Sequence, residues 1–503
     1  MNNKKFKNWI AYGLMGFFIV GQSCTNLDEN VFDQIAQDKY GNNPEQLASL
    51  IGPLYGGLGD YYGQFAGINA VTDEQVVPTR GGDWKDGDQW RRYEQHTWDP
   101  TLDDGYFNGL WTWIYNNITS INQQLANPSV TDPTTQAELR TLRAFYHYLA
   151  MDNFGNVIIA DKITEAGGDS DGSAVQRTRT EVYNFVEQEL INAIPDLSDV
   201  VGGTNYGRMN KYVANMILAK LYLNAEVYTG TPQWQKAKDQ CDLIINSNKF
   251  ALAADFFSNF TVNNQGSPEI ILATPMDRTK RPGFNVHFST LHYKHQLTYD
   301  LGAAPWNGFC TAAEFYDSFD DDDVRKNMWI IGQQYDIAGN PLKDDDLDMI
   351  IKKDIPAFEM PAGAAGRLVG ARSQKYEIQL HNHASTNSQD NDFVIYRLAD
   401  VFLMRGEANW RLNEKSLAAD DINAVRTLRG VAGFTAALTL DDILEERGRE
   451  LAWEFHRRQD LIRFGKFTEP WTFKPASPET RTLFPIPTSQ IALNPNLKQN
   501  SGY

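Results

Sequence analysis

The chain has 503 residues, 42% hydrophobic and 12% aromatic, which is enough for one large domain or two to three ordinary ones. A formal net charge of −18, with no basic stripe, excludes a protein that grips nucleic-acid phosphates, so no nucleic-acid partner is expected.

The N-terminus reads as an export segment. Lys4, Lys5 and Lys7 precede the apolar run "IAYGLMGFFIVG" from Ile10 to Gly21, well short of the roughly 20 apolar residues that a membrane-spanning helix needs. Residues 1–23 are therefore expected to be a lipoprotein signal peptide, with Cys24 lipidated at the start of the mature chain, although Gly21 stands where Leu is usual. A plain secreted protein and a membrane anchor helix are the alternatives. "TNLDENV" (25–31) would be a polar tether. Only Cys241 and Cys310 remain, too few for a disulfide framework, and packed thiols are expected.

The rest of the chain is mainly helical. A first helical region is expected at about 32–60, and a second at about 105–250. "TTQAELRTLRAFYHYLAMDNFG" starts at a Thr cap, puts Leu139, Leu142, Phe145, Tyr146 and Leu149 on one face, and stops at Gly155. "RTEVYNFVEQELINAIPDL" repeats that pattern with Val182, Phe185, Val186, Leu190 and Ile194, and "NKYVANMILAKLYLNAEVY" and "WQKAKDQCDLIINSN" flank a break at Thr231-Pro232. The last helical region, about 393–467, holds "DFVIYRLADVFLMRGEANWRLN", "SLAADDINAVRTLRG" and "LTLDDILEERGRELAWEFHRRQDLIRFG". Paired helices with alanines where they meet suggest tetratricopeptide-like stacking. The fold class is thus mainly α, with helix pairs, long loops and a few short strands, one of them "PEIILATPM" from Pro268.

Motifs for catalysis are missing: no GxSxG, no P-loop, no HExxH. "HYKH" (292–295) and "HNH" (381–383) lack zinc spacing and a third ligand, and the aspartate runs 321–323 and 344–346 read as solvated loops. No metal, no cofactor and no enzymatic activity are expected. The acidic "DDILEERGRELAWEFHRRQD" invites a glycosidase carboxylate pair. A structural helix explains it better: Glu445–Arg449 and Glu454–Arg458 pair at i,i+4 and Glu446–Arg449 at i,i+3, Leu444, Leu451 and Phe455 form the buried stripe, and Thr439 caps it.

Two stretches, about 61–104 and 255–390, are rich in Gly, Pro, Asn, Asp and aromatics, with poor periodicity. A pyranose ring offers apolar C–H faces and a hydroxyl rim, which an exposed indole and short polar side chains complement. Three segments have that mix. "VTDEQVVPTRGGDWKDGDQW" carries Asp73, Glu74, Arg80, Trp84 and Trp90. "FSTLHYKHQLTYDLGAAPWNGFC" carries His292, Tyr293, His295, Trp306 and Asn307. "GARSQKYEIQ" carries Arg372 and Lys375. The competing reading is that these aromatics pack loops onto helices. Trp84 and Trp306, in Gly- and Pro-rich surroundings, are the expected stacking rings, and Trp98 is expected to anchor its loop.

"ILEERGRELAWEFHRRQDLIRFGKF" followed by "LFPIPTSQIALNPNLKQNSGY" resembles the RagB/SusD family, and "FVIYRLADVFLMRGEANWRLN" and "ELRTLRAFYHYLAMDNFGNV" look like its other helical signatures. The resemblance spans nearly the whole chain, taking 24–503 as one SusD-like domain. It implies an outer-membrane lipoprotein exposed at the cell surface, with no catalysis and no cofactor. It also implies capture of oligosaccharide or polysaccharide on a lid over a SusC-like TonB-dependent transporter. Trp84 and Trp306 match the family's platform by position, with Asp73 and Arg80 as polar partners. The Thr-Arg-Gly-Gly-Asp-Trp pattern and the lack of a basic cluster in these loops suggest a neutral glucan such as a β-glucan, while Arg91 and Arg92 keep an anionic glycan open. The rival classes are an exported glycoside hydrolase and a structural lid of the transporter without glycan affinity.

Overall fold

A computed structural model describes residues 43–163, 174–435 and 437–503; the expected signal peptide and Cys24 lie outside them. The scaffold is a stack of helix pairs: α1 (Pro44–Leu58), α2 (Asp104–Leu125), α3 (Pro133–Phe154), α4 (Arg179–Ala193), α5 (Lys211–Leu223), α6 (Trp234–Ile245), α7 (Leu398–Arg411), α8 (Lys415–Arg426), α9 (Leu440–Leu451) and the short α10 (Arg457–Arg463). α2 packs on α3, α3 on α4, α5 on α6, α6 on α7, and α7 on α8 and α9, so neighbours in the stack bury one another's apolar faces. Among the described residues no helix is long and apolar enough to cross a membrane.

Local chemistry sets the helix ends. The Asp132 side chain, not a threonine, caps α3 by accepting from Thr135 N, and Gly155 (φ 73°) ends it. Thr178 and Glu181 form a capping box on α4, Asn210 caps α5, and Thr439 with Asp442 forms a second box on α9. Val182, Val186 and Leu190 are fully buried, as the helical spacing requires. Cys241 and Cys310 are buried free thiols.

Two elements differ from the periodicity. "FVIYR" is not the first turn of a helix: Phe393–Arg397 is a buried strand, antiparallel to the expected strand Ile270–Thr274, and α7 begins only at Leu398. Two β-branched and two aromatic residues in five favour the extended form. The acidic C-terminal segment is not one helix either. α9 ends at Leu451, and Trp453 (φ 59°) and Phe455 (φ 66°) take left-handed conformations before α10. The break aims the Trp453 indole at the Glu74 carbonyl, 2.9 Å away.

That break also re-pairs the charges. Glu445 and Glu446 do meet Arg449, but Glu454 binds Arg397 and Lys375, whereas Arg458 faces Asp152. Arg397 also holds Glu269 and Glu450, Arg429 holds Glu450, and Arg325 holds Asp323, Glu446 and Glu450, with all these side chains fully buried. Burial alone would raise the Glu450 carboxyl, yet the guanidiniums of Arg429, Arg397 and Arg325 hold it well below its ordinary range. The motif that mimics a catalytic acid cluster is a buried ion lattice tying α9 to the strand pair and to the loop around Arg325.

The segments 61–104 and 246–392 lie over this scaffold and carry short helices and two-residue strand pairs. Thr79–Arg80 runs parallel to Glu359–Met360 and ties the two segments together, and Trp329–Ile330 runs antiparallel to Arg372–Ser373 within the second.

Candidate functional site: an aromatic loop platform

The Trp84 loop is bent by more than its glycines. Arg80 and Asp83 exchange backbone hydrogen bonds at 3.0 and 3.2 Å around Gly81-Gly82. Gly81 (φ 69°) donates to the Met360 carbonyl, and a Cβ there would sit 2.9 Å from Ala362, so only glycine fits. Trp84 (φ 60°), Asp86 (φ 39°), Gly87 (φ 62°) and Asp88 (φ 66°) are all left-handed. Such non-glycine conformations cost about 1–3 kcal/mol each, persist only where the surroundings enforce them, and cluster at functional sites.

What enforces Trp84 is visible. Its Nε1 donates to the Trp306 carbonyl at 2.8 Å. Its ring lies on Gly308, where an added Cβ would come within 2.2 Å of the indole, and touches Phe309 and Trp90 at centroid distances of 5.6 and 5.8 Å. Trp306 is 38% exposed, with Phe288 edge-on 5.6 Å away. Partly exposed Tyr293 donates its hydroxyl to Asp83 at 2.6 Å. Burial, then that carboxylate, push its phenol up to about 12. Residues more than 200 positions apart are thus tied together: the Trp84 indole to the Trp306 backbone, and the Tyr293 phenol to Asp83, which nothing in the sequence distinguished from its aspartate neighbours.

The other expected contacts lie beneath the patch or elsewhere. Trp90 (4% exposed) donates to Asp86 at 2.6 Å and props Trp84 from below. Arg80 is buried, with its guanidinium spanning the carbonyls of Pro78, Gly308 and Val369 and the Cys310 thiol. Arg372 and Asn307 are fully buried: the guanidinium donates to Asn307 Oδ1 at 2.7 Å and to the carbonyls of Arg367, Val369 and Gly370. Burial, with Arg80 nearby, pushes Arg372 down to about 9. His295 is buried, accepts from His292 N and faces Gln334, and burial lowers it to about 4. Asp73 is bound bidentately by Arg457 at 2.6–2.7 Å. Glu74, His292 and Lys375 are buried, the last on Glu454 at 2.6 Å.

The expectation of direct contact is therefore corrected for the buried Trp90, Arg80, Asn307, Arg372 and His295, while Asp73 is partly exposed and paired with Arg457. These side chains are buried or already paired, and they hold the loops that hold the rings. Trp98, 1% exposed and bonded to the Tyr503 hydroxyl at 2.7 Å, is the anchor that was expected. The basic pair is also committed: Arg91 binds Glu359 at 2.8 Å, and Arg92 binds Asp103 through two bonds at 2.7 and 2.8 Å. Among the described residues no group of three His, Cys, Asp or Glu side chains is arranged to hold a metal ion.

A stacked-helix scaffold that carries an aromatic patch on long loops defines the class. Two family models match the chain, "SusD family" over residues 369–475 and "Starch-binding associating with outer membrane" over residues 32–223, together more than half of it. The chain belongs to the RagB/SusD family. It is similar to the starch-binding protein SusD of Bacteroides thetaiotaomicron, at 25% identity over 440 residues covering 78% of each chain. In fold it resembles surface glycan-binding protein A from Bacteroides thetaiotaomicron, with a TM-score of 0.74, 21% identity, 92% of this chain and 100% of that one covered. The same protein in complex with laminarihexaose aligns with a TM-score of 0.72, 20% identity, 91% of this chain and 99% of that one covered.

Proposed function

We propose that this protein is a cell-surface glycan-binding protein. It captures oligosaccharide or polysaccharide on Trp84, Tyr293 and Trp306 and delivers it to a SusC-like TonB-dependent transporter, anchored in the outer membrane through lipid on Cys24. The observation that supports the reading is the hydrogen bond from the Trp84 indole to the Trp306 backbone carbonyl, which ties together the loops of two partly exposed tryptophans from distant segments. Preorganised rings bind a sugar face without first losing conformational freedom. Family membership supports the outer-membrane setting, and relatives named for binding starch or solved with laminarihexaose support the ligand class.

A neutral glucan, such as a β-glucan, is the proposed ligand. Sulfates and uronates call for free cations, whereas Arg91 and Arg92 beside the platform are spent on Glu359 and Asp103. No catalytic step is proposed, because Asp83 is held by the Tyr293 hydroxyl and Glu359 by Arg91. Affinity gel electrophoresis of the mature protein against neutral and uronate polysaccharides tests the reading. Retardation by a neutral glucan, with no new reducing ends, is expected. Retardation by none, with an intact transporter complex, would favour a structural lid; release of reducing ends would favour a hydrolase.

A further inference from the structure

The platform has a neighbour beyond Trp90. That buried indole touches Trp84 at 5.8 Å and also Tyr106 at 5.9 Å, so the Trp84 and Tyr106 rings are no more than about 12 Å apart. Tyr106 is 36% exposed and lines an open groove of about 390 Å³ together with Leu102, Gln64 and Gln89. The size is within the range of small-ligand sites. Among the described residues that line it the one charged side chain, Asp103, is bound by Arg92 and by the Asp99 backbone N–H. An aromatic ring, an exposed leucine and two amides remain, the same mixture that a neutral sugar ring matches.

The backbone at the groove supports a ligand. Gly63, in the short helix Tyr61–Phe65, and Gly105 and Gly109, in the first turns of α2, all line it. Among the described residues, a Cβ at Gly63 or Gly105 would meet nothing within 4 Å, and one at Gly109 only the Gln64 side chain at 3.8 Å. Helical glycine is less stable than alanine, and packing among the described residues does not require it here. Bare backbone facing a groove lets another molecule approach closely.

We infer that this groove is a second sugar subsite, taking a neutral pyranose unit further along the same chain that rests on Trp84; the inference stands on the glycan-capture reading above. A ligand long enough to span both sites gains affinity that a short one lacks. The test is calorimetry with laminari-oligosaccharides of increasing length, from the shortest that binds to the hexasaccharide, on the wild type, Tyr106→Ala and Gly109→Leu. In the wild type, affinity rises with length. Both variants flatten that rise, losing about tenfold for the hexasaccharide while the shortest ligand binds unchanged. Gly109→Leu does so with an undiminished melting temperature, because it fills the groove with a better helix former. Hexasaccharide affinity unchanged in both folded variants, while Trp84→Ala loses binding, overturns the subsite and leaves the platform standing. A wild type that binds no oligosaccharide of any length, and is not retarded by neutral glucan, overturns the glycan reading itself and this inference with it.

Discussion

Truncating Trp84 to Ala separates a binding ring from a packing ring. The indole is only partly buried, so its removal forfeits one hydrogen bond, about 1 kcal/mol, and part of the contact with Gly308, Phe309 and Trp90. The expected loss of stability is about 1–2 kcal/mol, against about 3–5 kcal/mol for a fully buried tryptophan. A ring at the centre of a ligand contact typically accounts for at least about 2 kcal/mol of binding, roughly 30-fold in affinity. Trp84→Ala is therefore expected to shift the melting temperature by only a few degrees while abolishing retardation in a glucan-containing gel. Trp84→Gly sharpens the comparison: it loses the same ring but relaxes the left-handed backbone (φ 60°), so it is expected to melt higher than Trp84→Ala and bind as poorly. Trp453→Ala provides the contrast, since that indole is 4% exposed and bonded to Glu74. It is expected to melt markedly lower. If Trp84→Ala instead melted as early as Trp453→Ala and still bound glucan when folded, Trp84 would be a packing residue and the reasoning would fail.

Gly308→Ala places a methyl within 2.2 Å of the Trp84 ring, so it is expected to displace that indole and weaken glucan binding with little change in melting temperature; unaltered binding would mean the ring's position does not matter. Arg372→Met leaves Asn307 and three carbonyls without their buried donor and is expected to lower stability by about 1–3 kcal/mol, read from chemical denaturation. The buried histidines His96, His147, His287, His292, His295 and His456 are kept neutral by burial, with values pushed down to between about 2 and about 4. Below pH 6.5 the unfolded chain takes up protons at these six rings that the folded one refuses, so their contribution to stability is full above 6.5 and falls as pH drops towards 4, while Glu74, pushed up to about 7 by burial, acts in the opposite direction; replacing His295 with Gln is expected to make the melting temperature fall less between pH 7.5 and 5, and an unchanged pH profile would contradict this. Cys24→Ala is expected to move the protein from the membrane fraction to the soluble one, and retention at normal levels would count against lipidation.

The scaffold was largely legible in the sequence because helices are written locally, in the spacing of Val182, Val186 and Leu190 and in caps such as Thr439. The misread elements are those decided by distant partners. "FVIYR" is a strand because Ile270–Thr274 offers it a ladder, and the helix breaks after Leu451 so that Trp453 reaches Glu74 and Glu454 reaches Arg397. The site divides the same way. Trp84, Tyr293 and Trp306 stood out as aromatic residues in loops of turn composition. Arg80, Asn307, Arg372 and His295 share that composition, and nothing local distinguishes a polar side chain facing a ligand from one spanning buried carbonyls beneath it. Asp83 gains its place only through Tyr293, which lies 210 positions away.

The most direct test of the central claim is a crystal structure of the protein with a bound neutral gluco-oligosaccharide. The account predicts pyranose faces resting on Trp84 and Trp306, with the Tyr293–Asp83 pair within hydrogen-bond reach of a sugar hydroxyl and Arg80, Asn307 and Arg372 still buried beneath. An ordered ligand elsewhere on the surface, with the Trp84 and Trp306 rings untouched, would contradict it.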